Sequence, residues 1–89
     1  MTKKKSSVLS AITTSLFGLA KSLEEHGKTH QSLDPYLKLV AHYPDSEEAP
    51  LAAQRLLDIA ENFRRAEQPH MAIRVLERLE TAHNTAQNE

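Results

Sequence analysis

Apolar residues along the chain recur at spacings of three and four, which is the period of an amphipathic helix. Four such stretches follow one another, and short segments containing glycine, proline or polar residues separate them. The chain has only two glycines and few β-branched runs, which also favours helix over strand. The pattern therefore predicts an all-α protein with four helices.

Turn residues place the ends of these helices. Gly27 can adopt the left-handed conformation that terminates a helix, and Pro44 cannot continue the helix before it. Asp45 and Glu48 have the spacing of a capping box, and Pro69 suits a first helical position. The predicted helices cover about 6–26, from between 29 and 34 to 43, from 46 or 47 to 66, and 69–82.

The first twenty residues fit three interpretations. Lys3, Lys4 and Lys5 followed by an apolar segment outline a signal peptide, or a basic anchor on a membrane surface. Polar residues such as Ser10 and Thr13 interrupt the apolar segment, and no run approaches the ~18 apolar residues of a membrane span. We therefore expect a retained amphipathic helix and a cytoplasmic protein, with a periplasmic location if residues 1–20 act as a signal.

The length of 89 residues predicts a single domain. We expect a basic flexible start at residues 1–5, a helical domain at 6–83 and a disordered polar tail at 84–89.

An internal repeat organises the domain. When the sequence is shifted by 40 residues, apolar and small positions of the first half coincide with those of the second. The coinciding pairs are Leu16 and Leu56, Leu19 and Ile59, Ala20 and Ala60, Leu23 and Phe63, Ser32 and Ala72, Tyr36 and Leu76, and Leu39 and Leu79. The sequence thus predicts two similar helical hairpins, at about residues 8–46 and 47–83.

Each unit resembles the tetratricopeptide repeat, in which small residues stand where two helices cross and large apolar residues flank them. Ala20, Ser32 and Pro44 follow that pattern in the first unit, and Ala60 and Ala72 follow it in the second. The junction at residues 43–50 looks like that of bacterial repeats of the outer-membrane-assembly and Tol-accessory type. The resemblance implies a four-helix antiparallel array of two repeats.

This resemblance also implies a concave face lined by the first helix of each repeat. Phe17 and Leu57 lie on that face, outside the core stripe, as two apolar positions ringed by mixed charge. They could be anchors for an extended or helical peptide, or they could widen the core of a compact bundle. The predicted groove residues are Thr14, Phe17, Lys21, Glu24, Gln54, Leu57, Glu61 and Arg64.

The last helix carries apolar residues over more than half of its surface. Repeat arrays need three or more units or a polar cap, and the sequence shows neither. We therefore expect a homo-oligomer, most simply a two-fold dimer. The predicted interface residues are Met71, Ile73, Val75 and Leu79.

Chemistry-bearing patterns are weak throughout the chain. Cysteine is absent, two glycines cannot build a phosphate loop, and Gly27 breaks the helix between His26 and His30, so we expect no metal or cofactor. Twelve acidic and eleven basic residues give a net charge of -1, which disfavours nucleic acid. We expect a non-enzymatic adaptor or assembly factor; the alternatives are a structural oligomerising subunit and a membrane-surface protein.

Overall fold

The computed structural model describes residues 2–88, with side chains described from Val8 onward, and this range contains four helices. They are α1 (Thr2–Glu25), α2 (Thr29–His42), α3 (Glu48–Arg65) and α4 (Pro69–Asn88). The predicted all-α array is confirmed. Two ends differ from the prediction. The first helix, α1, begins at Thr2 and not at about residue 6, so residues 2–5 are helical where a flexible start was predicted. The last helix, α4, continues to Asn88, so residues 84–88 extend it instead of forming a disordered tail.

The two hairpin turns have the same geometry, although their residues differ. Gly27 and Glu67 occupy equivalent positions and both have a positive φ, 77° and 62°. In each turn the following amide donates to a carbonyl five residues earlier, at 2.8 and 2.9 Å. This bonding closes the last turn of α1 and of α3. Glu67 therefore holds a left-handed conformation that residues with a Cβ rarely adopt.

Replacing Glu67 by glycine should raise the free energy of unfolding by about 1 kcal/mol, because glycine adopts a positive φ without a steric penalty. Urea denaturation measures this change. Glu67→Ala is the matched control, since alanine loses the same carboxylate but keeps the Cβ. If the glycine variant is no more stable than the alanine variant, the turn is not strained at this residue.

The start of α3 is capped by a serine. The Ser46 hydroxyl oxygen accepts a hydrogen bond from the amide of Ala49 at 3.1 Å. This replaces the predicted cap, Asp45, because α3 begins at Glu48 and the serine side chain is the one placed to reach the first turn. Pro50 then lies in the first turn, where its missing amide costs no internal hydrogen bond.

The core lies around α2, which packs against each of the other three helices. Tyr36, Leu39, Leu56 and Val75 are its largest fully buried apolar side chains. The small residues that the repeat pattern assigns to the helix crossings are buried as well. They are Ala20, Ser32, Ala60 and Ala72.

Equivalent positions of the two repeats differ in burial at the two ends of the array. Ile59 in α3 is 2% exposed, whereas Leu19 in α1 is 52% exposed. Tyr36 in α2 is fully buried, whereas Leu76 in α4 is 43% exposed. The inner member of each pair lies between the two repeats, and the outer member faces away from them. Leu19 and Leu76, which the periodicity places with the core, are therefore surface residues.

Candidate protein-binding surface

The eight predicted groove residues fall on one face of α1 and on the equivalent face of α3. Their spacings of three and four residues keep each set of four on one side of its helix. Two contacts hold the helices side by side: the Thr14 hydroxyl donates to the Glu48 carboxylate at 3.1 Å, and Arg55 pairs with Glu24. Thr14, Gln54, Leu57 and Arg64 are exposed, and Phe17, Lys21, Glu24 and Glu61 are half-buried.

Phe17 and Leu57 differ in their surroundings. The Phe17 ring packs edge-on against the Tyr36 ring, with centroids 5.8 Å apart and planes at 63°. It therefore contributes to the core, with one side left at the surface. Leu57 is 44% exposed. Of the two predicted apolar anchors, Leu57 is thus the one available to a partner.

A hydrogen-bonded network beneath the face joins three helices. The Tyr36 hydroxyl in α2 donates to Glu24 Oε1 in α1 at 2.8 Å. Arg55 in α3 donates to both oxygens of the same carboxylate and also to Asp58 at 3.1 Å. Bidentate pairing of guanidinium and carboxylate fixes their relative orientation. The network thereby sets the position of the first repeat against the second.

The pKa values follow from this pairing. Burial raises the pKa of Glu24, but hydrogen bonds from Arg55 and Tyr36 outweigh it, so the net pKa is below its usual value. Burial, with the hydrogen bond to Glu24, raises the pKa of Tyr36 well above its usual value. The hydrogen bond to Glu24 raises the pKa of Arg55. At neutral pH the network therefore holds a charged Glu24–Arg55 pair and a neutral tyrosine.

The second half of the face is paired internally. Glu61 accepts hydrogen bonds from Arg64 at 3.0 Å and from Arg65 at 3.2 Å. The Arg64 hydrogen bond lowers the pKa of Glu61 to about 2. Arg64 and Arg65 are exposed and Glu61 is half-buried, so solvent screens these pairs and a bound peptide can replace them at small cost.

Sequence reasoning missed Arg55. Nothing in the sequence pairs it with Glu24, because the two residues belong to different repeats and the equivalent of Arg55 in the first repeat is Ser15. Only the packing of α3 beside α1 brings the charges together.

Two further surface concavities lie outside this face. One of about 590 Å³ lies between α2 and α4, and its walls include Lys38, Glu77 and Arg78. Another of about 510 Å³ lies between α1 and the turn before α3, with Leu9 and Pro44 in its walls.

The oligomer interface predicted on α4 needs correction. Val75 and Leu79 are buried in the core of the single chain, because α4 packs this side against α2 and α3. Met71 is half-buried, and Ile73 is 55% exposed. The helical periodicity placed Val75 and Leu79 on the apolar side of α4, but it could not show whether a helix of the same chain or a second copy covers that side.

Residues of α4 also form a polar cap that the sequence pattern did not reveal. Leu37, Val40 and Ala41 are buried on α2, and their equivalents on α4 are Glu77, Glu80 and Thr81, all exposed. Polar residues on an outer face are typical of a terminal repeat. The outer side of α4 is thus mostly adapted to water, apart from Ile73 and Leu76.

His26 and His30, the pair with the spacing of metal ligands, each contact a neighbouring group of the chain. His26 Nδ1 lies 2.7 Å from the Ser22 carbonyl oxygen, and the His30 ring stacks at a tilt on Phe63 with centroids 5.8 Å apart. Within the described residues, no group of three or more metal-ligating side chains is present. Also within residues 2–88, none of the helices combines the length and hydrophobicity needed to cross a membrane.

Comparison with known proteins agrees with this geometry in the first repeat. A family model described as a tetratricopeptide repeat matches residues 14–46, which cover the second half of α1 and all of α2. The fold is an all-α, tetratricopeptide-like array. No curated protein and no solved structure matches the chain. The outer-membrane-assembly or Tol-accessory type of repeat therefore stays a prediction.

Proposed function

We propose that the protein is a non-catalytic interaction module that binds a peptide or helix of a partner protein along the α1–α3 face. Tetratricopeptide repeats generally act as protein-interaction modules, and the match to this family supports the proposal. The observation that carries it is Leu57, an exposed apolar side chain in the middle of a face with charges of both signs. An adaptor or assembly factor would use such a face.

The physical basis is an apolar anchor with a polar rim. Burying Leu57 under a partner removes apolar area from water. Lys21, Gln54 and Arg64 belong to the same face and carry groups that can bond a peptide backbone or its side chains. The Glu24–Arg55 pair beneath the face keeps the two helices in place, so the partner meets a preformed surface.

Peptide selection from a random displayed library tests this proposal, because the selection does not require the natural partner. For a peptide selected on the wild-type protein, Leu57→Ala should weaken binding by about tenfold or more, as expected for an apolar anchor. Isothermal titration calorimetry measures the dissociation constant. Circular dichroism confirms that the variant remains helical.

Leu76→Ala is the matched control, since Leu76 is a similarly exposed leucine on α4. It should leave binding unchanged. Equal losses in the two variants, or none in either, would rule out the α1–α3 face as the binding surface.

A further inference from the structure

The outward flank of α1 is an uncharged surface. Residues 6–20 contain no charged side chain. Val8, Ile12 and Leu19 are 62%, 40% and 52% exposed, and their spacing places them in one stripe along the helix. A surface helix normally carries charged residues on its exposed side. This stripe is instead the kind of surface that another macromolecule covers.

The repeat shows what this flank is built to contact. The equivalents of Ile12 and Leu19 on α3 are Ala52 and Ile59, and both are buried in the core that the two repeats share. The same helix face that is covered in the second repeat is therefore uncovered in the first. Ile12 and Leu19 on this uncovered face are both apolar, and Ile12 is larger than Ala52, its buried equivalent.

Small residues border the stripe and allow a close approach. Ser15, Gly18 and Ser22 follow one another along α1 beside Leu19. A Cβ added to Gly18 would have no neighbouring heavy atom within 4 Å, so this side of the helix is open. Small side chains beside large ones suit helix-to-helix packing.

We propose that this flank of α1 binds the same flank of a second copy of the chain, with the two α1 helices antiparallel about a two-fold axis. When α1 overlaps fully with itself, Val8 lies across from Leu19 of the second copy, and Ile12 lies across from Ser15. Such a two-fold contact is self-complementary.

Charge complementarity selects the antiparallel direction. The ends of α1 carry opposite charges in the sequence, with Lys3, Lys4 and Lys5 at one end and Glu25 at the other, since Glu24 is paired with Arg55 inside the chain. An antiparallel pair brings the basic end of each helix beside the acidic end of the other. A parallel pair would bring like charges together. The inference goes beyond peptide binding, because the α1–α3 face lies on the other flank of α1.

Head-to-tail stacking of copies, with α1 of one on the α4 end of the next, is disfavoured by charge. Within the chain the two repeats are joined by Arg78 and Asp34 at 2.7 Å. The equivalent contact between stacked copies would bring Lys38 to Arg74, which repel each other. Stacking would also place the apolar stripe near Glu77 and Glu80. The two-fold contact avoids both costs.

Sedimentation equilibrium across a dilution series tests the proposal. The wild-type protein should have about twice the chain mass of 10.0 kDa, and Leu19→Glu should reduce it to the monomer mass. Ile73→Glu is the matched control: Ile73 is as exposed as Leu19 but lies on α4, so this variant should remain a dimer. A wild-type monomer, or a dimer lost only in the Ile73 variant, would overturn the proposal.

Cysteine cross-linking tests the direction, since the chain has no native cysteine. In the antiparallel pair, Ser15→Cys residues lie about 4.5 Å apart along the axis and should form a disulfide. Val8→Cys residues lie roughly 16 Å apart and should not cross-link with each other, but should cross-link with Leu19→Cys. Efficient Val8→Cys homodimers would overturn the antiparallel arrangement.

A membrane surface is the other occupant that the same stripe and its basic end could suit. Flotation with phosphatidylserine vesicles at low salt distinguishes the two-fold dimer from binding to a membrane surface. The dimer should stay in solution, because its stripes cover each other. A monomer that floats with the vesicles would overturn the proposal in favour of a membrane contact.

Discussion

Replacing Leu56 by alanine should lower the free energy of unfolding by about 2–5 kcal/mol. Leu56 is fully buried at the junction of the two repeats, so its truncation removes apolar contacts and leaves a cavity. The chain is short and has little stability to spare. Urea denaturation followed by circular dichroism should therefore show a large fall in the transition midpoint.

The neighbouring residue provides the control for this prediction. Leu57→Ala makes the same chemical change one position along α3, but at a side chain that is 44% exposed. Its cost should be below about 1 kcal/mol, since little packing is lost. Equal destabilisation by the two variants would contradict the position of α3 in the fold.

Replacing Glu24 by alanine should lower the free energy of unfolding by about 1–3 kcal/mol at neutral pH. This carboxylate accepts hydrogen bonds from Tyr36 and Arg55, and its removal leaves both donors without this partner. Thermal unfolding measures the change. The exposed neighbour Glu25 is the control, and Glu25→Ala should have a small effect.

This contribution depends on pH in a direction that the pKa determines. The pKa of Glu24 is lowered in the folded protein, so its stabilising contribution is fully present above its ordinary value of 4.5. This stabilising contribution is lost as the pH falls from 4.5 through the lowered pKa of Glu24 in the folded protein, because the carboxylate then becomes protonated. The stability gap between wild type and Glu24→Ala should therefore narrow on acidification. A gap that stays constant down to the lowest pH would show that the carboxylate charge contributes nothing.

Much of the fold could be predicted from local patterns. Apolar periodicity identified four helices, and Gly27, Pro44 and Pro69 placed most of their ends within one or two residues. The prediction was less accurate near the two ends of the chain. It ended α4 too early, because the polar residues after Ala82 resemble a disordered tail. A helix can continue through such residues since its hydrogen bonds are internal.

The candidate surface was only partly predictable. The resemblance to the tetratricopeptide repeat placed Leu57 and Phe17 on one face, but it could not show that Phe17 packs on Tyr36 while Leu57 faces water. Likewise, it could not pair Glu24 with Arg55, because spacing along one helix carries no information about a second helix.

The sequence by itself determined the helices, the repeat of 40 residues and which flank of each helix is apolar. The tertiary structure decided which apolar flanks are covered. Leu19 and Ile59 occupy the same register position and have similar hydrophobicity, yet only Ile59 is buried. Burial depends on what lies next to a helix, and only Ile59 has the other repeat beside it.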